Sequence, residues 1–141
     1  MVDPGAVKIF KNYLKKNNLK MTQERMLILE EVFSTHEHFE ADELLERMKK
    51  KSLNVSRATV YRTLDVLTNC NLVAKDNFGG ATAKYEHIYG HKHHDHIICI
   101  DDDTIIEFYD ERIEKLQEEI AAKHGIKITH HVMQIFGTRI K

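Results

Sequence analysis

Asn54-Val55-Ser56-Arg57-Ala58-Thr59-Val60-Tyr61-Arg62-Thr63-Leu64 is the stretch on which the fold turns. Ser56 is a good helix N-cap, and Val60, Leu64 and Leu67 recur at i, i+4 and i+7, the apolar stripe of a helix laid on a core. Arg57, Thr59, Tyr61 and Arg62 fall near the helix N-terminus and largely off that stripe. Alone, the pattern also fits a solvated helix face with a stacked tyrosine. Its surroundings decide. Upstream, residues 4–17 place Ala6, Ile9, Phe10, Tyr13 and Leu14 at helical spacing among Lys8, Lys11, Lys15 and Lys16. Thr22 is the N-cap of a predicted second helix running to Ser34, with Met26, Leu29, Val32 and Phe33 as its apolar set and Ile28 widening it. A third, over residues 40–51, buries Leu44, Leu45 and Met48 and begins with acidic residues, which suits the positive helix end. Downstream, the β-prone runs 72–78 and 82–88 flank Gly79-Gly80, a hairpin signal. Short helices followed by a hairpin make a winged helix-turn-helix. Such a fold presents the first residues of one helix to the DNA major groove, where arginines suit guanine edges or phosphate.

The second decisive stretch is His91-Lys92-His93-His94-Asp95-His96, running directly into Ile97-Ile98-Cys99-Ile100. The apolar run favours a strand, which we extend back through the histidines. Strand side chains alternate faces, so His94 and His96 point one way and His93 and Asp95 the other. One short segment thereby seeds two metal sites, because imidazole and carboxylate are the usual ligands for Zn²⁺ and for divalent iron or manganese. A solvated polar loop is the plainer alternative. Glu86 and His87 sit on the second hairpin strand or just past it. Beyond the cluster, Asp101-Asp102-Asp103 reads as a turn and Thr104-Ile105-Ile106-Glu107-Phe108 as a strand. A helix over 110–124 follows, with Ile113, Leu116, Ile120 and Ala121 as its stripe and Gly125 as its C′ residue. A long final strand is predicted over 126–136. The chain is therefore α+β, with a C-terminal β-β-α-β unit. So small a unit leaves sheet edge and apolar surface exposed, so a second copy is expected to cover it.

At 141 residues, the chain can bury one good core or two small ones. Net charge is −1, yet residues 1–75 carry 13 Lys/Arg against 10 Asp/Glu, and residues 76–141 carry 8 against 12. A mildly basic half suits a polyanion, and an acidic, His-rich half suits a cation. Cys70 and Cys99 form no C-x-x-C pair, which argues against a disulfide framework. The apolar runs are too short for a membrane span and no signal-peptide segment is evident, so the cytoplasm is the expected compartment.

Taken in order, several stretches make the chain resemble the ferric uptake regulator family over nearly its whole length. They are Leu19-Lys20-Met21-Thr22-Gln23-Glu24-Arg25, the helix Ser56 to Leu64, His93-His94-Asp95-His96-Ile97-Ile98-Cys99 and Ile106-Glu107-Phe108. Ile113-Glu114-x-x-Gln117 follows, then Gly125-Ile126 leading to His131 and Phe136-Gly137. The motifs stand closest to the family's iron sensors. The resemblance implies a metal-activated repressor that binds a palindromic operator on double-stranded DNA as a homodimer, or as a pair of dimers. It also implies a DNA-binding domain over residues 1–88 with a hinge at 84–92, and a dimerisation and metal-binding domain over 93–141. Carried over residue by residue, a regulatory metal site would use His38, Glu86, His94, His96 and Glu107, tying the two domains together. A second site would use His93, Asp95, Glu114 and His131. On the DNA side, Lys20 would approach the minor groove, Arg57 the major groove or a phosphate, and Thr59, Tyr61 and Arg62 would lie on the recognition helix. His36, His91, His124 and His130 match no ligand position. Cys70 is expected to be a buried helix residue.

The sequence departs from the family in one respect. Many members carry a four-cysteine structural zinc, drawn from a C-x-x-C after the histidine strand and another near the C-terminus. Here those regions read Cys99-Ile100-Asp101-Asp102 and Gly137-Thr138-Arg139-Ile140, which excludes that site. Dimer stability is then expected from apolar packing, with metal at the His93 site, Zn²⁺ included, as a helper. Three imidazoles with Glu86 and Glu107 form a hard-leaning set that suits Fe²⁺, with Mn²⁺ or Zn²⁺ as substitutes. An iron-responsive repressor is the favoured reading. A peroxide-sensing relative is second, although such sensors often have aspartate where this chain has Glu107. A zinc-uptake regulator is third. A metalloenzyme is disfavoured, since four or five protein ligands leave no open position for a small organic substrate. A metal-storage role would not need Arg57, Tyr61 and Arg62 at a helix start.

Overall fold

Short polar side chains start the helices. Asp3 accepts from the Gly5 amide at 2.7 Å, and Pro4 takes the first position of α1 (Pro4–Lys16), where a missing N–H costs nothing. Thr22 Oγ1 accepts from the Arg25 amide ahead of α2 (Gln23–Val32). Glu43 reaches back to the Glu40 amide at 2.8 Å to open α3 (Ala41–Lys50), and Ser56 accepts from the Thr59 amide to open α4 (Arg57–Asn69). The computed structural model describes residues 2–90 and 93–141 and divides the chain into two units, Met1–His91 and Lys92–Lys141. His91 and Lys92, inside the predicted hinge, lie outside the described residues. No helix among the described residues is long and apolar enough to cross a membrane.

In the first unit, Phe10, Leu14, Ile28, Leu29, Leu44, Met48, Leu64 and Leu67 are fully buried in one core. The helices close on it along the predicted stripes except at Ile9, which α1 leaves exposed, and a two-stranded wing of β1 (Val73–Asp76) and β2 (Lys84–His87) follows α4. Helix α2 stops at Val32 rather than Ser34, because the Ser34 amide and hydroxyl both turn back onto the Glu31 carbonyl. The wing also differs from the expected two-residue hairpin. Its ladder ends at Asp76↔Lys84, and residues 77–83 form a longer loop. Asp76 and Asn77 cause this by capturing the Phe78 and Gly79 amides, so Phe78 and Gly79 enter positive φ and cannot continue the strand. A further backbone bridge joins Phe39 to Tyr85, with bonds of 2.8 and 2.9 Å. Cys70 is half-buried and caps the end of α4 instead of lying within it.

Periodicity leaves Glu31 unexplained, since it lies on the buried side of α2. Arg47 Nε stands 3.1 Å from one of its carboxylate oxygens and Lys51 Nζ 2.7 Å from the other. Burial pushes its carboxyl up, but the Lys51 and Arg47 charges and hydrogen bonds outweigh that and hold it below the ordinary value.

The second unit is a three-stranded sheet in the order β4-β3-β5, crossed by α5 (Glu111–Lys123). β3 (Asp95–Cys99) pairs antiparallel with β4 (Thr104–Phe108) and parallel with β5 (Gln134–Gly137). Two strand boundaries are corrected. β3 begins at Asp95, with His93 and His94 in its lead-in, and the final strand covers only 134–137. β3 offers parallel ladder partners only from His96 to Cys99, and the Met133 carbonyl, which accepts from the His96 amide at 3.2 Å, marks the start of that pairing. No residue of α5 is buried, and Leu116, Ile126 and Val132 are 57%, 61% and 76% exposed. This unit presents its apolar stripe to the outside, which soluble chains rarely tolerate in a lone copy.

In place of the four-cysteine site that the sequence does not supply, hydrogen bonds and one ion pair join the turn after β3 to the C-terminal segment. The Arg139 amide donates to Asp101 at 2.9 Å, and its guanidinium reaches Asp102 at 3.0 Å and Thr104 Oγ1 at 3.2 Å. Thr104 hydroxyl and amide bonds, with help from Cys99 and Arg139, hold the Asp102 carboxyl well below the usual range.

Two outcomes are expected. Glu31→Gln lowers stability by about 1–3 kcal/mol, read from denaturant unfolding of α2 and α3. A carboxyl depressed in the fold contributes stability above its unfolded pKa and loses it as pH falls through the folded value, so the gap to wild type closes on acidification. Arg139→Ala speeds amide exchange at Ile100 and residues 138–141, and the difference shrinks at high salt because the pair is exposed.

Candidate metal centres and nucleic-acid interface

Within the second unit, four side chains from separate elements meet. Asp95 opens β3 with its carboxylate fully buried, and His93 precedes it by two residues on the same face. Glu114 comes from the first turns of α5, and His131 from the segment before β5. Asp95 Oδ1 lies 3.2 Å from His93 Nε2 and 3.0 Å from His131 Nε2, and the two nitrogens are 3.0 Å apart. Glu114 oxygens stand 3.9 Å from His93 and 3.5 Å from His131. One ligand atom from each residue lies within 4.8 Å of the others. Around a tetrahedral ion bound at about 2.0–2.2 Å, ligand atoms sit roughly 3.4 Å apart. The observed spacings bracket that value. Asp95 Oδ2 has no hydrogen-bond partner, and a buried carboxylate is costly unless a cation joins it. The donor set therefore fits a divalent ion.

In the first unit, His38 Nε2 stands 3.2 Å from Glu86 Oε2, and both side chains are nearly buried. The Phe39↔Tyr85 bridge explains the approach, because antiparallel register around it sets residue 38 opposite residue 86. In the second unit, His96 pairs with Glu107 across the β3–β4 ladder. His94 Nε2 lies 3.5 Å from Glu107, with its ring 4.8 Å from that of His96. Both groups join imidazole to carboxylate. His36, which matches no ligand position, meets His87 at 4.8 Å with its ring tilted, and Phe33 stacks on the same His87 ring at 4.7 Å.

On α4, Val60, Thr63, Leu64 and Leu67 are buried, which turns Arg57, Tyr61 and Arg62 outward at the helix start. Unpaired amides and the helix dipole make that end attractive to anions. Thr59 is partly committed, since its hydroxyl lies 2.8 Å from Ser56 Oγ in the cap. Lys20 is exposed, and the Arg25 guanidinium binds its carbonyl and fixes the turn before α2. Sequence reasoning missed Asp42 on α3, which stands 3.2 Å from Arg57 Nη1. An acidic residue in a first helical turn signals only a favourable dipole, so nothing in the sequence marks it.

The model of the ferric uptake regulator family matches residues 16–136. The ferric uptake regulation protein of Campylobacter jejuni is 40% identical over 130 residues, covering 91% of this chain and 82% of its own. Two solved structures have the same fold. The ferric uptake regulator of Helicobacter pylori, described with three functional metal-binding sites, is 30% identical with a TM-score of 0.85 over 96% of this chain and 89% of its own. That of Pseudomonas aeruginosa with manganese is 31% identical with a TM-score of 0.79, over 93% and 98%. A winged helix-turn-helix followed by a β-β-α-β unit is thus matched in sequence and in architecture, and the chain belongs to the ferric uptake regulator family of metal-responsive transcription regulators.

Proposed function

We propose that this chain is an iron-responsive repressor, which binds a palindromic operator as a homodimer when loaded with Fe²⁺. The observation that carries the reading is the pairing of each imidazole group with a glutamate, His38 with Glu86 and His94 with Glu107. Oxygen donors beside nitrogen, without sulfur, suit Fe²⁺ and Mn²⁺ better than a thiolate set does. The iron-regulator relatives and the manganese-bound structure point the same way. His38, Glu86, His94, His96 and Glu107 form the regulatory site in this proposal. A bound divalent cation supplies positive charge that offsets Glu86 and Glu107. Ligands drawn from both units, sharing one cation, favour one arrangement across the hinge at 84–92 and shift the population toward the DNA-competent dimer.

His93, Asp95, Glu114 and His131 hold a second ion, with Zn²⁺ well suited. They draw the lead-in to β3, helix α5 and the segment before β5 onto one point in the 93–141 dimerisation domain. In the domain formed by residues 1–88, Arg57, Tyr61 and Arg62 face the major groove from α4. Thr59 holds the cap from which they project, and Lys20 approaches the minor groove.

Gel-shift titration on an A·T-rich palindromic duplex, with and without Mn²⁺, tests the regulatory site. Metal is expected to tighten binding at least about tenfold, a coupling of roughly 1.4 kcal/mol, and His94→Ala with His96→Ala to abolish the gain. Equal binding by the metal-free protein sinks the proposal. Mass spectrometry after Fe²⁺ and dilute peroxide separates the family's sensors, since one added oxygen on His38 or His94 assigns the chain to peroxide sensing. For the second site, Asp95→Asn with His131→Ala is expected to remove one metal ion per chain in elemental analysis and to weaken the dimer in sedimentation.

A further inference from the structure

Asp42 belongs to α3, yet its carboxylate meets the start of α4. Its Oδ1 lies 3.2 Å from Arg57 Nη1 and accepts from the Tyr61 hydroxyl at 3.3 Å. Arg57 Nη2 donates to the same hydroxyl at 3.4 Å, and its guanidinium lies over the Tyr61 ring at 5.3 Å. Three side chains thus close a triangle on the surface given above to DNA. The Arg57 and Asp42 side chains are 64% and 56% exposed, so the pair adds little to folding stability. What it does fix is direction. A guanidinium is a planar fork whose donors must be aimed to read a base edge, and a free arginine explores many rotamers. Here one Nη group is held by Asp42 and the other touches Tyr61 Oη. Asp42 also places a negative charge on this surface, which disfavours phosphates that arrive without the matching bases.

We propose that Asp42 is a positioning and specificity-determining residue for operator recognition, holding Arg57 and Tyr61 in the geometry that reads bases while penalising non-cognate duplex. The proposal rests on α4 being the recognition helix. Arg57 is aimed before contact, so the cost of ordering it is met by the fold and not drawn from binding. Loss of the carboxylate frees Arg57 for any nearby phosphate. Affinity for random duplex then rises and operator preference falls.

The test uses full-length, Mn²⁺-loaded protein, with a palindromic operator duplex and a shuffled duplex measured across a salt series. Asp42→Asn is expected to lower the ratio of operator to shuffled affinity about tenfold, within the range for one base contact, with a steeper salt dependence on shuffled DNA. Asp42→Glu is expected to restore part of the ratio. Arg57→Ala is expected to lose it, and adding Asp42→Asn to Arg57→Ala to change nothing more. If Arg57→Ala keeps full operator preference, Arg57 reads no base and this proposal fails, whereas the recognition-helix reading fails only if Arg62→Ala and Tyr61→Ala also leave operator binding unchanged. If Arg57→Ala loses preference while Asp42→Asn keeps it, or if Asp42→Asn strengthens both duplexes equally, only the role given to Asp42 is overturned. Circular dichroism and melting of each variant separate either result from misfolding.

Discussion

A β-strand must send successive side chains to opposite faces, and in β3 and its lead-in that constraint separates two ligand groups. His94 and His96 go to the face that holds Glu107. His93 and Asp95 go to the face where α5 brings Glu114 and the last segment brings His131. A slip of one residue would exchange every one of these side chains and dismantle both groups at once. The ladder with β4, running from Asp95↔Phe108 to Cys99↔Thr104, locks the register. The buried apolar end of β3, Ile98 and Cys99, secures it from the other side.

Charge is used in two different ways in the first unit. Glu31 is withdrawn from water, and Arg47 and Lys51 reach it from the partly exposed side, so its ionised form is favoured and ties α2 to α3. Asp42 stays in water, where its pairing with Arg57 adds little stability and acts on orientation instead. Both acids lie near helix ends and look alike in a linear reading. Burial alone separates a structural carboxylate from one that faces a ligand.

The second unit depends on what lies outside the single chain. Helix α5 buries nothing, and residues 126–133 alternate like a strand without pairing as one. Members of this family are DNA-binding dimers, and a second copy gives that surface somewhere to go. The Arg139 amide bound to Asp101 and the Arg139 guanidinium paired with Asp102 tie the turn after β3 to the C-terminal segment. An exposed ion pair is a weaker tie than a zinc–thiolate centre.

Patterns repeated along the chain were legible without coordinates. Helix starts at Thr22 and Ser56, the stripe Val60, Leu64 and Leu67, and the alternation of the histidines each depend on neighbours within a few residues. Local sterics and capping settle such features. Pairings between distant segments were not legible. The Phe39↔Tyr85 bridge that brings His38 to Glu86, the burial of Glu31 and the reach of Asp42 to Arg57 carry no periodic signal. The final strand was overextended for the same reason, since alternation shows that residues can form a strand but only a partner's open hydrogen bonds decide how many do. Sequence alone determined which residues cap the helices and which build the core of the first unit, because those roles follow from side-chain chemistry and local period. Tertiary structure decided which of them meet, because contact depends on how the chain folds back on itself.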